Sequence, residues 1–126
     1  MATMILLTLL VAAEVCAGPR ISLDGAKLLA ITAAPPITAE GKSRGSVKAA
    51  EVESQSSKGW LFRVYATNPC APGLEVCSSL MGYYSVSAQS GDVRDENGDS
   101  DALVNSQAVR QVQARLLKHA CFRPER

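Results

Sequence analysis

Three of the four cysteines and the only histidine carry most of the reactive chemistry of this 126-residue chain. Cys70 and Cys77 have six residues between them, and His119 and Cys121 follow near the carboxyl end. These side chains are suitable zinc ligands, but structural zinc sites usually separate paired cysteines by about two to four residues. The spacing therefore favours a Cys70–Cys77 disulfide over a metal site if the chain enters an oxidising compartment.

Catalytic patterns are weak in this sequence. His119 and Cys121 are two positions apart, and side chains at that spacing on a helix point in different directions. We find no nucleophile elbow, phosphate-binding loop or pair of carboxylates at strand ends. We therefore expect no enzyme activity, no catalytic residue, no cofactor and no resident metal.

One acidic segment raises the question of calcium. In Asp92–Asp101, acidic and amide side chains alternate as they do at the start of an EF-hand loop. Ser100, however, stands where that loop needs glycine, and Ser106 stands where it needs a bidentate glutamate. Asn97-Gly98 independently indicates a turn. We interpret the segment as a solvated acidic turn.

The amino terminus has the pattern of a signal peptide. Met4–Ala13 is an apolar stretch that is too short to cross a bilayer and suits a signal-peptide core. Small residues before Gly18 fit a cleavage site, which predicts residues 1–17 as the signal peptide. Cleavage before Glu14 is the alternative. Either site predicts an exported protein, periplasmic or secreted, that meets a membrane only through its signal peptide.

The cleavage site decides how the cysteines can pair. Cleavage at the later site leaves an odd number of them, whereas cleavage at the earlier site retains Cys16. Cys16 and Cys121 could then form a second bridge between the amino terminus and the last helix. A Cys70–Cys77 bridge closes a small loop, so its stabilisation should lie at the low end of about 2–4 kcal/mol. Its main effect is to fix the shape of the loop.

Composition limits the class of protein. Hydrophobic residues make up 47% of the chain and charged residues 20%, which is typical of a folded domain and not of a disordered one. The formal net charge of +1 gives no strong field for binding nucleic acid. We expect a single domain over residues 18–126 and a protein partner rather than a nucleic acid.

Two strand-like segments flank the cysteine pair. Trp60–Thr67 and Leu80–Ala88 both alternate with a period of two residues, which predicts an antiparallel hairpin with one packed face. Asn68–Cys77, in the connection between them, forms the long tip of this hairpin. The side chains predicted on the outer face are Leu61, Arg63, Tyr65, Thr67, Met81, Tyr83, Ser85 and Ser87.

Two further segments predict helices. Ile21–Ala34 has Ser22 as its N-cap and ends before Pro35. Val104–Phe122 carries an apolar stripe at helical spacing and has Asn105 as its N-cap. The weaker elements are, in order, a flexible connection over Ile37–Gly45, a strand over Ser46–Ser54 and a short strand over Val93–Asp95. This order predicts an α+β fold with an N-terminal helix, a three- to four-stranded antiparallel sheet and a C-terminal helix packed on the sheet.

Three segments, Ser22–Ala30, Leu61–Ala66 and Tyr83–Asp99, resemble the PepSY domain and its cystatin-like relatives. That pattern has a Ser-x-x-x-Ala-x-x-x-Ala helix, a strand near Tyr-x-Val and the motif Val-Asp-Ala-x-Thr-Gly-x-Val. Val86–Val93 is similar to the motif, with serines in place of Asp and Thr. The resemblance covers about Ile21–Asp99. It implies a small non-catalytic module of the kind found in exported peptidase propeptides, periplasmic proteins, inhibitors and immunity proteins.

The resemblance and the export signal together predict a binding protein. We expect it to bind and inhibit another protein such as a hydrolase or a toxin, as an enzyme inhibitor or an immunity protein. The alternatives are an envelope-associated structural module of the PepSY type and a protein that binds a small ligand or a metal. The predicted partner-binding residues belong to the hairpin tip and to the outer sheet face: Pro72, Gly73, Leu74, Glu75, Arg63, Tyr65 and Tyr83.

Overall fold

The computed structural model describes residues 20–43, 45–68, 77–98 and 101–118. These residues form an α+β fold, as predicted, but the sheet has five strands rather than three or four. The helices are α1 (Leu23–Ala33), α2 (Ala39–Ser43) and α3 (Gln107–Leu116). The strands are β1 (Val47–Ser56), β2 (Gly59–Asn68), β3 (Cys77–Ser87), β4 (Val93–Asp95) and β5 (Ala102–Leu103).

The sheet is a simple antiparallel meander in the order β1-β2-β3-β4-β5. The β1–β2 turn lies at Ser57 and Lys58. The β2–β3 ladder extends from Gly59 opposite Ser87 to Asn68 opposite Cys77, which confirms the predicted hairpin. The fifth strand has only two residues, so it is too short to leave an alternating pattern in the sequence.

Helix α1 begins where its capping residue predicts. Ser22 is the N-cap, and its Oγ accepts a hydrogen bond of 3.0 Å from the backbone N–H of Gly25. The helix ends at Ala33, and its C-cap Ala34 is extended because a residue that precedes a proline disfavours the helical region.

The carboxyl end of α1 is capped from the sheet. The last turn of α1 contains no basic residue. Instead Lys48, on β1, donates from Nζ to the carbonyl oxygens of Ile31 (2.8 Å) and Ala34 (3.2 Å). A positive charge at this position complements the helix dipole and satisfies carbonyl groups that have no partner within the helix. Partial burial lowers the pKa of Lys48 below its ordinary value.

The connection predicted to be flexible contains the short helix α2. Thr38 precedes this helix, and its Oγ1 accepts a hydrogen bond of 3.1 Å from the backbone N–H of Gly41. A threonine whose side chain accepts a hydrogen bond from the third residue after it is an N-terminal helix cap. The polar composition of the segment led instead to the prediction of a flexible connection.

The last helix begins later than predicted. The sequence pointed to Val104 as the start and to Asn105 as the N-cap, but α3 begins at Gln107 and Ser106 is the N-cap. The reason lies in the sheet. The backbone N–H of Val104 donates to the carbonyl oxygen of Val93 (2.8 Å), so the chain is still extended beside β4 there.

The core lies between the sheet and the two longer helices. Helix α1 packs on the sheet, and α3 lies against α1 at Gly25, where an added Cβ would come within 3.0 Å of Leu116. This close approach accounts for a glycine inside a helix. The larger buried side chains of the core are Ile21, Leu29, Trp60, Phe62, Val64, Tyr84, Val86, Val93, Val109 and Val112.

A bulge in β3 overturns one predicted side-chain direction. The sequence placed Met81 on the outer face, but it packs against the core. The register shifts there: Val64 pairs with Gly82, whereas Tyr65 pairs with Leu80, so Met81 is the extra residue. Leu80 takes the outer position instead and is 56% exposed.

Candidate functional site

The sheet surface opposite the helices carries three of the predicted partner-binding side chains. We call the outward side chains of β1, β2 and β3 the outer face. The ladder places Glu51, Arg63 and Tyr83 in one row across the three strands. Tyr65 lies in the next row, with Leu80 beside it. The fold thus brings Arg63, Tyr65 and Tyr83 into one cluster, and their role in binding stays a prediction.

Glu51 orients two members of this cluster. Its Oε2 accepts a hydrogen bond of 2.6 Å from Nη2 of Arg63, which also makes an ion pair. Its Oε1 accepts a hydrogen bond of 2.9 Å from the hydroxyl of Tyr65. One carboxylate therefore holds a guanidinium and a phenol side by side on the surface, and charge-assisted bonds of this kind are stronger than neutral ones.

The titration behaviour of the cluster follows from these bonds. The hydrogen bond from Arg63, and then the one from Tyr65, hold the pKa of Glu51 below its ordinary value. The hydrogen bond to Glu51 raises the pKa of Tyr65 above its ordinary value. Both shifts keep the cluster in one state at neutral pH, with an ionised carboxylate and a protonated phenol.

A shallow groove of about 620 Å³ runs over this cluster. We call it the aromatic groove. Its rim is apolar at the end near the β2–β3 connection, where Leu80 is 56% exposed. Val47 is 58% exposed and lies in the same cross-strand row as Thr67 and Ser78. The groove is lined by Glu51, Arg63, Tyr65, Thr67, Ser78, Leu80 and Tyr83.

Asn97 fixes the backbone of β3 beneath the aromatic groove. Its Oδ1 accepts a hydrogen bond of 2.8 Å from the backbone N–H of Tyr83, and its Nδ2 donates to the carbonyl oxygen of Tyr83 (3.3 Å). The space that a Cβ at Gly82 would need is filled by the Asn97 amide, whose nearest atom would be 2.7 Å away. The Asn97 side chain therefore acts as a strand residue beside Tyr83, beyond the end of β4.

A second groove, of about 560 Å³, lies at the β1–β2 turn end of the sheet. We call it the serine groove. Gly59 lies in it, and no larger residue fits there because an added Cβ would lie 2.0 Å from the carbonyl oxygen of Val86. Two cations, Lys58 and Arg94, and several hydroxyl groups surround it. Its polar lining includes Ser54, Ser56, Lys58, Ser85, Ser87, Arg94 and Glu96, and Trp60 also contributes to its wall.

The edges of the sheet are poor sites for adding a strand. On β1, the inward-pointing Lys48 is engaged with α1, and the register shifts between Val52 and Ser54. Inward charges and bulges are known protections of edge strands. At the other edge, β5 has two residues. The broad surface that the described part of the sheet offers is therefore its outer face.

Several predicted residues lie outside the described parts of the chain. They include the tip residues Pro72, Gly73, Leu74 and Glu75, and the cysteines Cys16, Cys70 and Cys121. His119 and Phe122 also lie outside them, but the prediction that the last helix runs to Phe122 is wrong, because α3 ends at Leu116 and Leu117 is its C-cap. Cys77 begins β3 opposite Asn68. The tip disulfide and the second bridge thus stay predictions.

The described residues carry two further findings about chemistry. Within residues 20–43, 45–68, 77–98 and 101–118, no group of three or more His, Cys, Asp or Glu side chains is arranged to hold a metal ion. None of the helices in those ranges is long and apolar enough to cross a membrane.

Sequence reasoning missed Glu51, Leu80 and Asn97. Glu51 had no special signal, because its position opposite Arg63 depends on the exact register of the β1–β2 hairpin. Leu80 was missed because the bulge at Met81 reverses the side-chain alternation on which the prediction relied. Asn97 was interpreted only as a turn residue, although a carboxylate two residues before it, at Asp95, is a common partner for a turn amide.

Comparisons with protein families, with curated proteins and with solved structures found no match for this chain.

Proposed function

We propose that this chain is an exported, non-catalytic protein that binds and inhibits a partner protein such as a hydrolase, with the outer face as its docking surface. The observation that carries the proposal is the cluster of Glu51, Arg63 and Tyr65, which is held together on the face of the sheet that the helices do not cover. The PepSY-like pattern and the predicted signal peptide support the same class of function.

The side chains of the aromatic groove suit an interface. Tyrosine and arginine are enriched among the residues that contribute most to binding. Here Arg63 and Tyr65 share one carboxylate, and the backbone of Tyr83 is bonded to Asn97. Side chains that are already held in place lose less conformational entropy when a partner docks.

The charge of the cluster indicates what the partner presents. Glu51 already balances the positive charge of Arg63, so a strongly acidic partner gains little from this surface. The guanidinium has further N–H donors beyond the one that Glu51 accepts. Exposed Leu80 and Val47 lie on the same face. A fitting partner segment therefore has low net charge, apolar side chains and free backbone carbonyl groups, and its binding should depend only weakly on salt.

The protonation state of the Tyr65 hydroxyl supports the proposal that the protein is not catalytic. Its hydrogen bond to Glu51 raises the pKa of Tyr65, so the hydroxyl keeps its proton at neutral pH. A protonated phenol that donates to a carboxylate positions a ligand and does not act as a base.

The test is capture followed by an activity assay. The mature chain, immobilised through its carboxyl terminus, is exposed to the cell-envelope fraction of the cells that produce it, and retained proteins are identified. A retained hydrolase should lose activity in proportion to added free chain, with a one-to-one end point. Retention of no protein, or of a hydrolase whose activity is unchanged at saturation, would contradict the proposal.

The serine groove supports a second candidate, the carriage of a small neutral ligand rich in hydroxyl groups. The groove holds Lys58 and Arg94 against Asp92 and Glu96, so its lining is balanced in charge. Its volume is within the range of small-molecule sites. Trp60 is the only tryptophan in the chain and lies in the groove wall, so its fluorescence reports on occupancy. Saturable quenching by maltose would favour this function, and an unchanged spectrum would count against it.

A further inference from the structure

Asn97 links two parts of the sheet through several hydrogen bonds. Besides the two bonds to the backbone of Tyr83, its own backbone N–H donates to Oδ1 of Asp95 (2.9 Å), and its Nδ2 donates to the same oxygen. Both hydrogens of the side-chain amide are thus directed at oxygen acceptors. The link requires an amide at this position, because a carboxylate has no hydrogen to donate.

The residue after Asn97 makes the same amide chemically labile. Gly98 has a φ of +69°, and, its chain neighbours aside, none of the described residues lies within 4 Å of where its Cβ would be. Because glycine has no side chain, it hinders attack by its own backbone nitrogen on the preceding side chain less than any other residue does. The chain has two other asparagines: Asn68 precedes a proline, which has no N–H, and Asn105 precedes a serine.

We propose that Asn97-Gly98 is a site of spontaneous deamidation, and that the hydrogen-bonded link to Tyr83 and Asp95 sets its rate. The backbone nitrogen of Gly98 attacks Cγ of Asn97, and the Cγ–Nδ2 bond breaks. Nδ2 leaves as ammonia with the hydrogen that Gly98 gives up. Water then opens the cyclic imide to aspartate or isoaspartate. No oxidant, reductant or enzyme is needed.

The folded protein resists this step until the link opens. Nδ2 is held by Asp95 and by the carbonyl oxygen of Tyr83, so the side-chain amide cannot turn freely toward the nitrogen of Gly98 while these bonds are made. Removal of the Asp95 carboxylate therefore loosens the side-chain amide without changing the asparagine itself.

Conversion removes the two hydrogen bonds that Nδ2 donates. The new carboxylate faces the carboxylate of Asp95 and the carbonyl oxygen of Tyr83, and like charges at that distance repel. The hydroxyl of Tyr84, the other titratable group that faces Asn97, stays neutral because burial raises its pKa. The modified chain loses the support of β3 directly beneath the aromatic groove. Deamidation of Asn97 thus irreversibly alters the residue that supports β3 beneath the outer face.

The rate is measured on the full mature chain by peptide mapping of aspartate and isoaspartate during incubation at neutral pH. Folded wild type should convert Asn97 several-fold more slowly than the same chain in urea, and Asn68 and Asn105 should lag behind Asn97 in urea. Folded Asp95→Ala should convert faster than wild type, and the matched variant Asp92→Ala should not. Equal rates for folded and unfolded wild type would overturn the proposal, as would no conversion in any folded chain.

The consequence is measured on Asn97→Asp, which reproduces one of the two products of the reaction. At pH 7 it should have a lower Tm than wild type. Close carboxylates have raised pKa values in the folded state, so the difference should shrink as the pH falls to about 4 and one carboxyl regains a donor hydrogen. Asn105→Asp should show no such dependence. An unchanged Tm at pH 7, or a difference that is equal at both pH values, would overturn the assigned role of the link.

Discussion

At the scale of single residues, Glu51 organises the outer face. It is an exposed carboxylate, yet both of its oxygens are engaged, one by Arg63 and one by Tyr65. The state of this one group therefore decides whether the cluster presents a fixed surface or three independent side chains.

The titration of Glu51 should reveal that role. Its pKa, measured by NMR, should lie below the ordinary value of 4.5, because Arg63 and Tyr65 stabilise the charged form. A depressed folded pKa means that the stabilisation is present above the unfolded pKa and is lost as the pH falls through the folded one. Arg63→Gln should raise the pKa more than Tyr65→Phe. A Glu51 pKa that is unaffected by Arg63→Gln would contradict the cluster.

Lys48 is the second residue with a specific task. Because it caps the last carbonyl groups of α1, Lys48→Met should lower the free energy of unfolding by about 0.5–1 kcal/mol while it keeps most of the apolar stem. Lys58→Met, in the exposed β1–β2 turn, is the matched control and should change it by less than about 0.5 kcal/mol. Denaturant unfolding of both variants measures this. Equal losses would show that Lys48 has no special role.

At the scale of elements, β2 separates the two faces of the sheet. Trp60 is 9% exposed and its ring lies 6.3 Å from that of Phe62, whereas its neighbour Leu61 is only partly buried. Trp60→Ala should therefore lower the free energy of unfolding by about 3–5 kcal/mol. Leu61→Ala should cost much less, because that side chain stays partly in water. Similar losses in thermal or denaturant unfolding would mean that the strand has no distinct inner and outer side.

The same strand shows what the sequence could predict. Alternation in β2 and in the second half of β3 indicated which side chains enter the core, because a period of two residues is fixed by strand geometry. The bulge at Met81 has no such signal, since one extra residue reverses the pattern without changing composition. The start of α3 was misplaced because Asn105 and Ser106 are both good capping residues, and only the bond from Val104 to β4 separates them.

The sequence likewise predicted only some of the residues of the candidate site. Arg63, Tyr65 and Tyr83 were identified because they alternate with core residues on strong strands. Glu51 and Asn97 come from elements with weak patterns, and each reaches the cluster only through the pairing of the sheet. Cross-strand contacts of this kind depend on register, which the turn and the bulge set together.

At the scale of the whole molecule, the export prediction can be tested directly. The protein purified from its producing cells should have the intact mass of a chain that begins at Gly18 or at Glu14. The reason is that the apolar segment before these residues has the length of a signal-peptide core. Mapping without reductant should find Cys70 linked to Cys77. A mass that retains residues 1–13 would remove the basis for the disulfide, and a Cys70–Cys121 link would contradict the local pairing.

The outer face as docking surface is tested most directly by a matched pair of leucines. Leu80 lies on the outer face and is 56% exposed, and Leu28 lies on α1 and is 41% exposed. An aspartate at either position should leave the Tm close to that of wild type. Binding of the captured partner, measured by calorimetry, should weaken at least about tenfold for Leu80→Asp, which is about 1.4 kcal/mol, and stay unchanged for Leu28→Asp. Wild-type affinity in Leu80→Asp together with lost binding in Leu28→Asp would place the partner on the helices and contradict the account.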